Sequence, residues 1–193
     1  MAIAAAKRQQ VCPSYARPHK ERPNARNRES CLRVAEGERV VSSIAPRLFY
    51  FRHGETAWSL TSRHTGVTDT PLTVRGESQA RALAPWTAAI SFAHVFTSPR
   101  LRARVTCELA GLGAKAKVEP DLAEWNYGDF EGLRTVDIWK GSPGWDIFRD
   151  GCPNGEQAAA IGARVDRRVA RLSELDSDVA LFAHGQLGSV FVA

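Results

Sequence analysis

The stretch FYFRHGETAW at residues 49–58 determines how the rest of the chain can be arranged. Together with Leu48, its first three residues form an apolar run that is typical of a buried β-strand. The run ends directly in Arg52, His53 and Gly54. Ligands of open α/β sheets bind beyond the carboxyl ends of the strands. A cation and an imidazole at this point therefore predict a ligand-binding edge.

The segments after Arg47 alternate between strand-like and helix-like patterns, which predicts an α/β fold. In such a fold the helices pack around a largely parallel sheet. We predict strands at residues 47–51, 93–97, 115–119 and 178–183.

Capping residues and apolar periodicity predict three helices. The first begins at Thr73 as N-cap, and Pro85 distorts or ends it. The second begins at Ser98, with Pro99 in its first turn, and ends near Gly111. The third covers about residues 155–175, with an apolar face formed by Ile161, Val165, Val169 and Leu172.

Residues 1–46 are rich in Arg, Asn, Pro and Gln and lack a sustained apolar period, which predicts a disordered basic extension. They carry the whole surplus of the +5 net charge, so the predicted domain at 47–193 is neutral overall. The net charge is therefore no evidence for a nucleic-acid partner. Residues 1–20 contain no acid, which is compatible with either a transit peptide or an overlong translation start.

Two further features concern the class of protein. No apolar run approaches the roughly 20 residues that cross a bilayer, so we expect a protein without a membrane partner. The four cysteines have neither zinc-site spacing nor the density of a secreted disulfide scaffold, which favours reduced thiols and a cytoplasmic location.

Residues suited to binding phosphate follow three of the predicted strands. Arg52 and His53 follow the first, and His184 follows the last. If Ser98 caps the second helix, Arg102 occupies its fourth position, and its guanidinium leans back over the sheet edge. The free N–H groups of the helix start also favour an anion there. The sequence therefore predicts a shared anion site.

Six blocks in register resemble the histidine phosphatase superfamily, also called phosphoglycerate mutase-like. They are RHGET at 52–56, HTGVTDTPLTVRGESQA at 64–80, TSPRLRARVT at 97–106, LAEWNYGDFEG at 122–132, GCPNGE at 151–156 and FAHG at 182–185. The resemblance implies a three-layer sandwich with a mostly parallel sheet and helices on both faces. Relatives continue further beyond the second histidine, so the resemblance implies a domain that is short at its C-terminus and lacks a last helix or strand.

The resemblance also implies roles for individual residues. His53 matches the nucleophile, Arg52 and Arg102 match the phosphate clamp, His184 completes the pocket, and Glu124 matches the proton donor. Substrate contacts are further implied for three residues, Ser59, Thr65 and Gly66. His64 lies in a predicted turn, so a solvent-facing role is expected for it, with a substrate contact as the alternative.

These roles agree with the chemistry of phosphoryl transfer. A neutral imidazole is a competent nucleophile when its other nitrogen donates to a fixed acceptor. Arginines supply bidentate, permanently charged donors for the phosphoryl oxygens, so we expect no metal and no other cofactor. A carboxyl group that burial keeps protonated can protonate the departing alkoxide, which is the task proposed for Glu124.

Three functions remain open at this point. The resemblance implies that cofactor-dependent mutases carry a long segment with basic residues between the acid and the second histidine. Here the segment from Glu124 to His184 is short, and its bases before the long helix are Arg134, Lys140 and Arg149, so a phosphomonoesterase is favoured. A phosphoglycerate mutase-type transferase and a truncated, inactive phosphate-binding relative are the alternatives. The expected partner is a small phosphorylated substrate of the sugar phosphate or sugar bisphosphate class, and the sequence is compatible with a homo-oligomer.

Overall fold

A computed structural model describes residues 47–193. The predicted basic extension at 1–46 lies outside the described residues, as do Cys12 and Cys31. The assignment of residues 47–193 as a separate domain therefore stays a prediction. No helix in the described part of the chain is long and apolar enough to cross a membrane.

Four parallel strands form the sheet, in the order β1-β4-β2-β3. Each lies within one residue of a predicted strand, and the predicted α/β fold is confirmed. Their bounds are Leu48–Arg52 for β1, His94–Thr97 for β2, Ala116–Val118 for β3 and Val179–Ala183 for β4.

The helices cover both faces of this sheet. Their bounds are Ala57–Leu60 for α1, Val74–Arg81 for α2, Ala84–Ala88 for α3, Leu101–Leu109 for α4, Thr135–Ile138 for α5, Ile147–Asp150 for α6, Ala158–Ser173 for α7 and Gly185–Phe191 for α8. Short 3-10 helices lie at Gly113–Lys115, Pro120–Leu122 and Gly128–Phe130.

Strand β4 is the centre of the core, and all five of its residues are buried. Leu181 packs in a cluster with Ile161 of α7 and Leu187 of α8. Phe182 packs on the other face, in a cluster that contains Cys107 of α4. Because both faces of the strand are covered, its sequence is continuously apolar instead of alternating. The structure therefore has three layers.

Two details of the predicted helices are wrong. Helix α4 begins at Leu101, with Arg100 in the N-cap position, and Ser98 is not its cap. The reason is a distant acceptor: Oδ1 of Asp69 accepts the Leu101 N–H at 2.9 Å, so a residue remote in sequence satisfies the helix start. Arg102 is therefore the second helical residue, not the fourth.

The predicted apolar face of the third helix is also partly wrong. Val169 is 45% exposed, whereas Ile161, Val165 and Leu172 are buried as expected. A helix turns by about 100° per residue, so position 168 returns to within about 20° of position 161, and position 169 lies about 80° away. The buried position belongs to Arg168, whose guanidinium lies 3.8 Å from the centroid of the Phe96 ring.

Candidate active site

The pairing of β1 with β4 places the two histidines side by side. Arg52 is in register with Ala183, so the next residues, His53 and His184, leave the sheet at the same edge. The backbone N–H of His53 donates to the carbonyl of Ala183 at 3.0 Å. The centroids of the two imidazole rings are 5.3 Å apart.

His53 is held in one tautomer. Its Nδ1 lies 2.7 Å from the carbonyl oxygen of Gly54, which can only accept, so Nδ1 carries the proton. The lone pair is therefore on Nε2. Burial lowers the pKa of His53 to about 3, and the charges of Arg102 and Arg52 act in the same direction, although the Gly54 hydrogen bond opposes them. A neutral imidazole is the result at ordinary pH.

Close backbone packing fixes the loop that carries His53. The N–H of Gly54 donates to Oγ1 of Thr106 in α4 at 3.1 Å. On its other side, Gly54 lies against Gly76 of α2, where a Cβ on Gly54 would be 2.4 Å from the Gly76 carbonyl oxygen. The loop is therefore held between α2 and α4.

The two arginines implied to bind phosphate differ in their environments. Arg52 is exposed, and its guanidinium lies over Gly185, where an added Cβ would be 3.3 Å from Cζ. Arg102 is fully buried and donates to the carbonyls of Thr65, Gly66 and Thr68 at 2.9–3.1 Å. Its buried Nε has no hydrogen-bond partner among the described residues.

A carboxylate fixes the loop that holds Arg102. Glu131 accepts the backbone N–H of Gly66 with both oxygens, at 2.9 and 3.0 Å, and that of Thr68 at 3.0 Å. Residues 65–68 are thus bound through their N–H groups by Glu131 and through their carbonyls by Arg102. Glu131 and Arg102 therefore hold the same loop from its two sets of backbone groups.

His184 is fully buried, and two hydroxyl groups hold it. The Tyr50 hydroxyl donates to the His184 carbonyl at 2.7 Å and accepts the His184 N–H at 3.2 Å. Nε2 of His184 lies 2.7 Å from Oγ of Ser98, which also accepts the Arg100 N–H at 3.2 Å. Burial, Arg102 and His53 lower the pKa of His184 well below its usual range. Its Nδ1 has no partner among residues 47–193.

Glu124 lies at the start of α8. Its Oε1 accepts the N–H groups of Trp125 and Leu187 at 2.9 and 2.8 Å, and its Oε2 accepts that of Gln186 at 3.0 Å. Burial raises the pKa of this carboxyl group, although the three N–H bonds and the charge of Arg102 act in the opposite direction. Because Oε1 already accepts two bonds, Oε2 has the free position for a proton.

A cavity of about 520 Å³ lies in front of these groups. Arg102 and His184 do not belong to its lining. A second cavity, of about 280 Å³, shares Arg52, His53 and Ser59 with it and extends to Gln79 and Leu83 near α2. The lining of the larger cavity consists of Arg52, His53, Ser59, Ser62, Arg63, His64, Thr65, Glu124, Tyr127, Gly185, Gln186 and Ser189.

The three further residues with implied substrate contacts occupy different positions. Ser59 lines the cavity, but its hydroxyl forms a capping box with Thr56 at the start of α1. Thr65 also lines the cavity, and its hydroxyl donates to the Arg63 carbonyl at 3.1 Å. Gly66 is not in the lining, and its N–H and carbonyl are bonded to Glu131 and Arg102. Their contacts with substrate stay predictions.

One residue expected in solvent lies in the wall instead. His64 is half-buried; its Nε2 lies 3.1 Å from the Thr135 hydroxyl, and its ring centroid is 4.7 Å from that of Tyr127. Burial lowers its pKa, although the charge of Glu131 acts in the opposite direction. The sequence signal for this position was that His64 directly precedes the Thr65-Gly66 pair, for which substrate contacts were expected.

Residues 47–193 contain no cluster of three or more His, Cys, Asp or Glu side chains that could hold a metal.

Known proteins similar to this chain were found by sequence. A model of the histidine phosphatase superfamily (branch 1) matches residues 48–193. The sedoheptulose 1,7-bisphosphatase of Saccharomyces cerevisiae is 37% identical over 189 residues, which cover 79% of this chain and 68% of the yeast protein. An acid phosphatase of Mycobacterium tuberculosis is 40% identical over 150 residues, covering 76% and 73% of the two chains. Relatives named as phosphoglycerate mutases also match.

Solved structures show the same similarity. The structure of an open reading frame from Mycobacterium tuberculosis superposes with a TM-score of 0.72 at 39% sequence identity, covering 76% of this chain and 78% of that one.

Proposed function

Because the chain belongs to the histidine phosphatase superfamily and is a phosphoric monoester hydrolase, we propose that it hydrolyses small sugar phosphates or bisphosphates through a phosphohistidine at His53. The observation that carries the proposal is the neutral imidazole of His53 at the wall of a cavity that also contains Arg52 and Glu124. This combination supplies a nucleophile, a phosphate-binding cation and an acid.

The proposed reaction has two steps. Nε2 of His53 attacks phosphorus, and the bond from phosphorus to the ester oxygen breaks. Arg52 binds the phosphoryl oxygens, the buried charge of Arg102 stabilises them from outside the cavity lining, and Glu124 gives its proton to the departing alkoxide. The Glu124 carboxylate then takes a proton from water as the water oxygen attacks phosphorus and the bond from phosphorus to Nε2 breaks, which releases phosphate and restores His53.

The cavity lining supports a sugar as the leaving group. Three serine hydroxyls, the Thr65 hydroxyl and the Gln186 amide can bond to a polyhydroxylated substrate, and Tyr127 and His64 offer flat aromatic surfaces. A volume of about 520 Å³ exceeds the needs of a phosphate group alone. The names of the yeast and mycobacterial relatives also support a phosphatase.

A bisphosphate substrate requires a second cation, and Arg63 is the candidate. It lines the cavity together with Arg52, and Glu124 is the one acid in the lining. We expect Arg63→Gln to raise KM for a sugar bisphosphate about tenfold and to leave KM for the matching monophosphate within twofold. Equal effects on both substrates would remove Arg63 as a second phosphate site.

A substrate panel tests the proposed activity. The purified chain is incubated, with and without chelator, with p-nitrophenyl phosphate, sugar mono- and bisphosphates, and 3-phosphoglycerate. We expect phosphate release from the sugar esters that the chelator does not inhibit. An isomerised phosphoglycerate would favour the mutase alternative instead, and a folded protein without turnover would favour the inactive phosphate-binding alternative.

We also propose that the working partner is this small substrate, not a nucleic acid or a membrane. The buried thiols of Cys107 and Cys152 are free, which suits a reducing, cytoplasmic compartment. Fractionation of cells that express the full chain would test the compartment. Sedimentation of the purified chain would decide whether it forms a homo-oligomer.

A further inference from the structure

We propose that Arg164 of α7 is a positioning residue for Glu124 and that its guanidinium determines where the acid lies in the cavity. The inference rests on the proposed function, because it assigns to Glu124 the role of proton donor. Arg164 lines neither of the two cavities beside His53. It would act through the backbone of the loop that carries Glu124.

That loop has no regular structure of its own. Residues 123–127 follow a 3-10 helix, Pro120–Leu122, and belong to no helix or strand. A backbone without a hydrogen-bonded ladder must be fixed by other groups if a side chain on it is to keep a defined position. The position of Glu124 therefore depends on what binds the loop.

Arg164 binds two carbonyls of the loop and one of the 3-10 helix before it. Its Nη1 donates to the carbonyl oxygens of Asp121 and Ala123 at 2.9 and 2.6 Å, and its Nη2 donates to that of Glu124 at 3.2 Å. The remaining donors form a bidentate pair with Glu156, at 2.8 Å from Nε and 3.0 Å from Nη2. Arg164 is only 8% exposed, so water cannot easily replace these bonds.

The donor count explains why this residue is an arginine. A guanidinium has five N–H groups in a fixed plane, and here five hydrogen bonds use them. Lysine has three donors and no planar fork, so it would leave at least two of the five acceptors without their bonds. Substitution by lysine keeps the positive charge but removes the planar arrangement of five N–H donors.

Glu156 holds the same loop from the other side. Its Oε2 accepts the Asn126 N–H at 2.8 Å, and its backbone carbonyl accepts the Trp125 indole N–H at 2.9 Å. Its own N–H donates to the Asn126 carbonyl at 2.8 Å. The Arg164–Glu156 pair thus fixes residues on both sides of Glu124.

The consequence for the reaction is geometric. The Glu124 carboxyl contacts the N–H groups of Gln186 and Leu187 on α8, while Arg164 holds its backbone from α7. If Arg164 is changed, the loop can move relative to α8. A displacement of about 1 Å can cost about a hundredfold in rate when it moves a group that must meet the substrate.

The test compares two substrates with Arg164→Lys. In the transfer of the phosphoryl group to His53, esters with poor leaving groups, such as alkyl phosphates, need the proton from Glu124, whereas p-nitrophenyl phosphate does not. Hydrolysis of the phosphohistidine is common to both esters, so kcat/KM, which reports the first step, is the quantity compared. We expect kcat/KM for the alkyl ester to fall at least about tenfold more than kcat/KM for the aryl ester. The matched control is Arg167→Gln, since the exposed Arg167 lies on the same helix and contacts the Asp121 carboxylate, in the 3-10 helix before the loop, at 3.0 Å. It should leave both rates within twofold.

Equal slowing of the two esters, or no slowing, would overturn the inference. If Arg164→Lys does not fold, as judged by its thermal transition, Glu156→Gln provides the second variant, and the same preferential loss on the alkyl ester is expected. In a Glu124→Gln background, Arg164→Lys should cost less than twofold further on the alkyl ester, whereas an independent, multiplicative loss would contradict the inference. Failure of the proposed function would give a different result. The wild-type protein would then have no phosphatase activity, or Glu124→Gln would slow alkyl and aryl esters equally.

Discussion

Gly54 and Gly76 lie in direct backbone contact, and neither position has room for a side chain. A Cβ on Gly76 would be 2.1 Å from the Glu55 carbonyl oxygen, and one on Gly54 would be 2.4 Å from the Gly76 carbonyl oxygen. Neither approach is possible for a real carbon atom. The contact joins the His53 loop to the first turn of α2, so a substitution at Gly76 reaches the nucleophile without touching it.

We predict that Gly76→Ala lowers both stability and turnover. Alanine is the better helix former, but here its methyl group would force the backbones apart, at a cost of about 1–3 kcal/mol. The control is Gly162→Ala in α7, where a Cβ would meet nothing within 4 Å. This substitution should raise the free energy of unfolding by about 0.5–1 kcal/mol. Denaturant unfolding measures both variants. A stabilised Gly76→Ala with full activity would contradict the prediction.

The elements that the sequence predicts well are those with local signals. Strand β4 is a continuous apolar run that is bounded by polar residues, and Thr73 is a cap followed by its helix, so both are found where the pattern places them. The start of α4 has no such local signal. Its first N–H is satisfied by Asp69, 32 residues earlier in the chain, and that contact exists only after folding.

We predict that His53→Ala abolishes turnover and leaves the fold intact. The proton on Nδ1 is held by the Gly54 carbonyl, which leaves Nε2 as the ring atom with a lone pair for the attack. The loss in kcat should be about 10³-fold or more. Wild-type protein that is quenched during turnover of a ³²P-labelled ester should carry an acid-labile label, which the variant lacks. A variant with wild-type turnover, or a label that persists in it, would eliminate His53 as nucleophile.

The residues of the candidate site also fall into two groups, those with a local signal in the sequence and those without one. Parallel strands end at one edge, so the sequence can bring Arg52, His53 and His184 together once the strands are recognised. Residues that hold this site from a distance carry no such pattern. Glu131 and Arg164 are charged residues in a loop and in an amphipathic helix, where a solvated position is the usual expectation. Their roles become visible only when their hydrogen-bond partners are known.

We predict that Glu131→Ala weakens binding of phosphate. Without its carboxylate, the N–H groups of Gly66 and Thr68 lose their acceptor, and the loop that orients Arg102 is released. Inorganic phosphate, used as a competitive inhibitor, should bind about tenfold more weakly, because charge-assisted bonds contribute about 1.5–3 kcal/mol each. Asp129→Ala is the control, since this exposed acid in the same block bonds to Asn154. A Glu131→Ala variant that binds phosphate as well as this control does would show that Arg102 needs no such support.

We predict that kcat/KM for alkyl phosphates falls as pH rises through the raised pKa of Glu124. The pKa of His53 is lowered to about 3, so its lone pair is available above about that pH and is lost only below it. The pKa of Glu124 is raised by burial, so the carboxyl proton needed by the leaving group persists above the usual pKa of a glutamate and is lost at higher pH. The ionisation of the substrate contributes to the same profile. A comparison of wild type with Glu124→Gln on one alkyl ester cancels that contribution, because both proteins meet the same substrate. The ratio of wild-type kcat/KM to that of Glu124→Gln should therefore decrease at alkaline pH. If both proteins show the same profile, Glu124 is not the group that titrates, and the carboxyl at the start of α8 has a structural role instead.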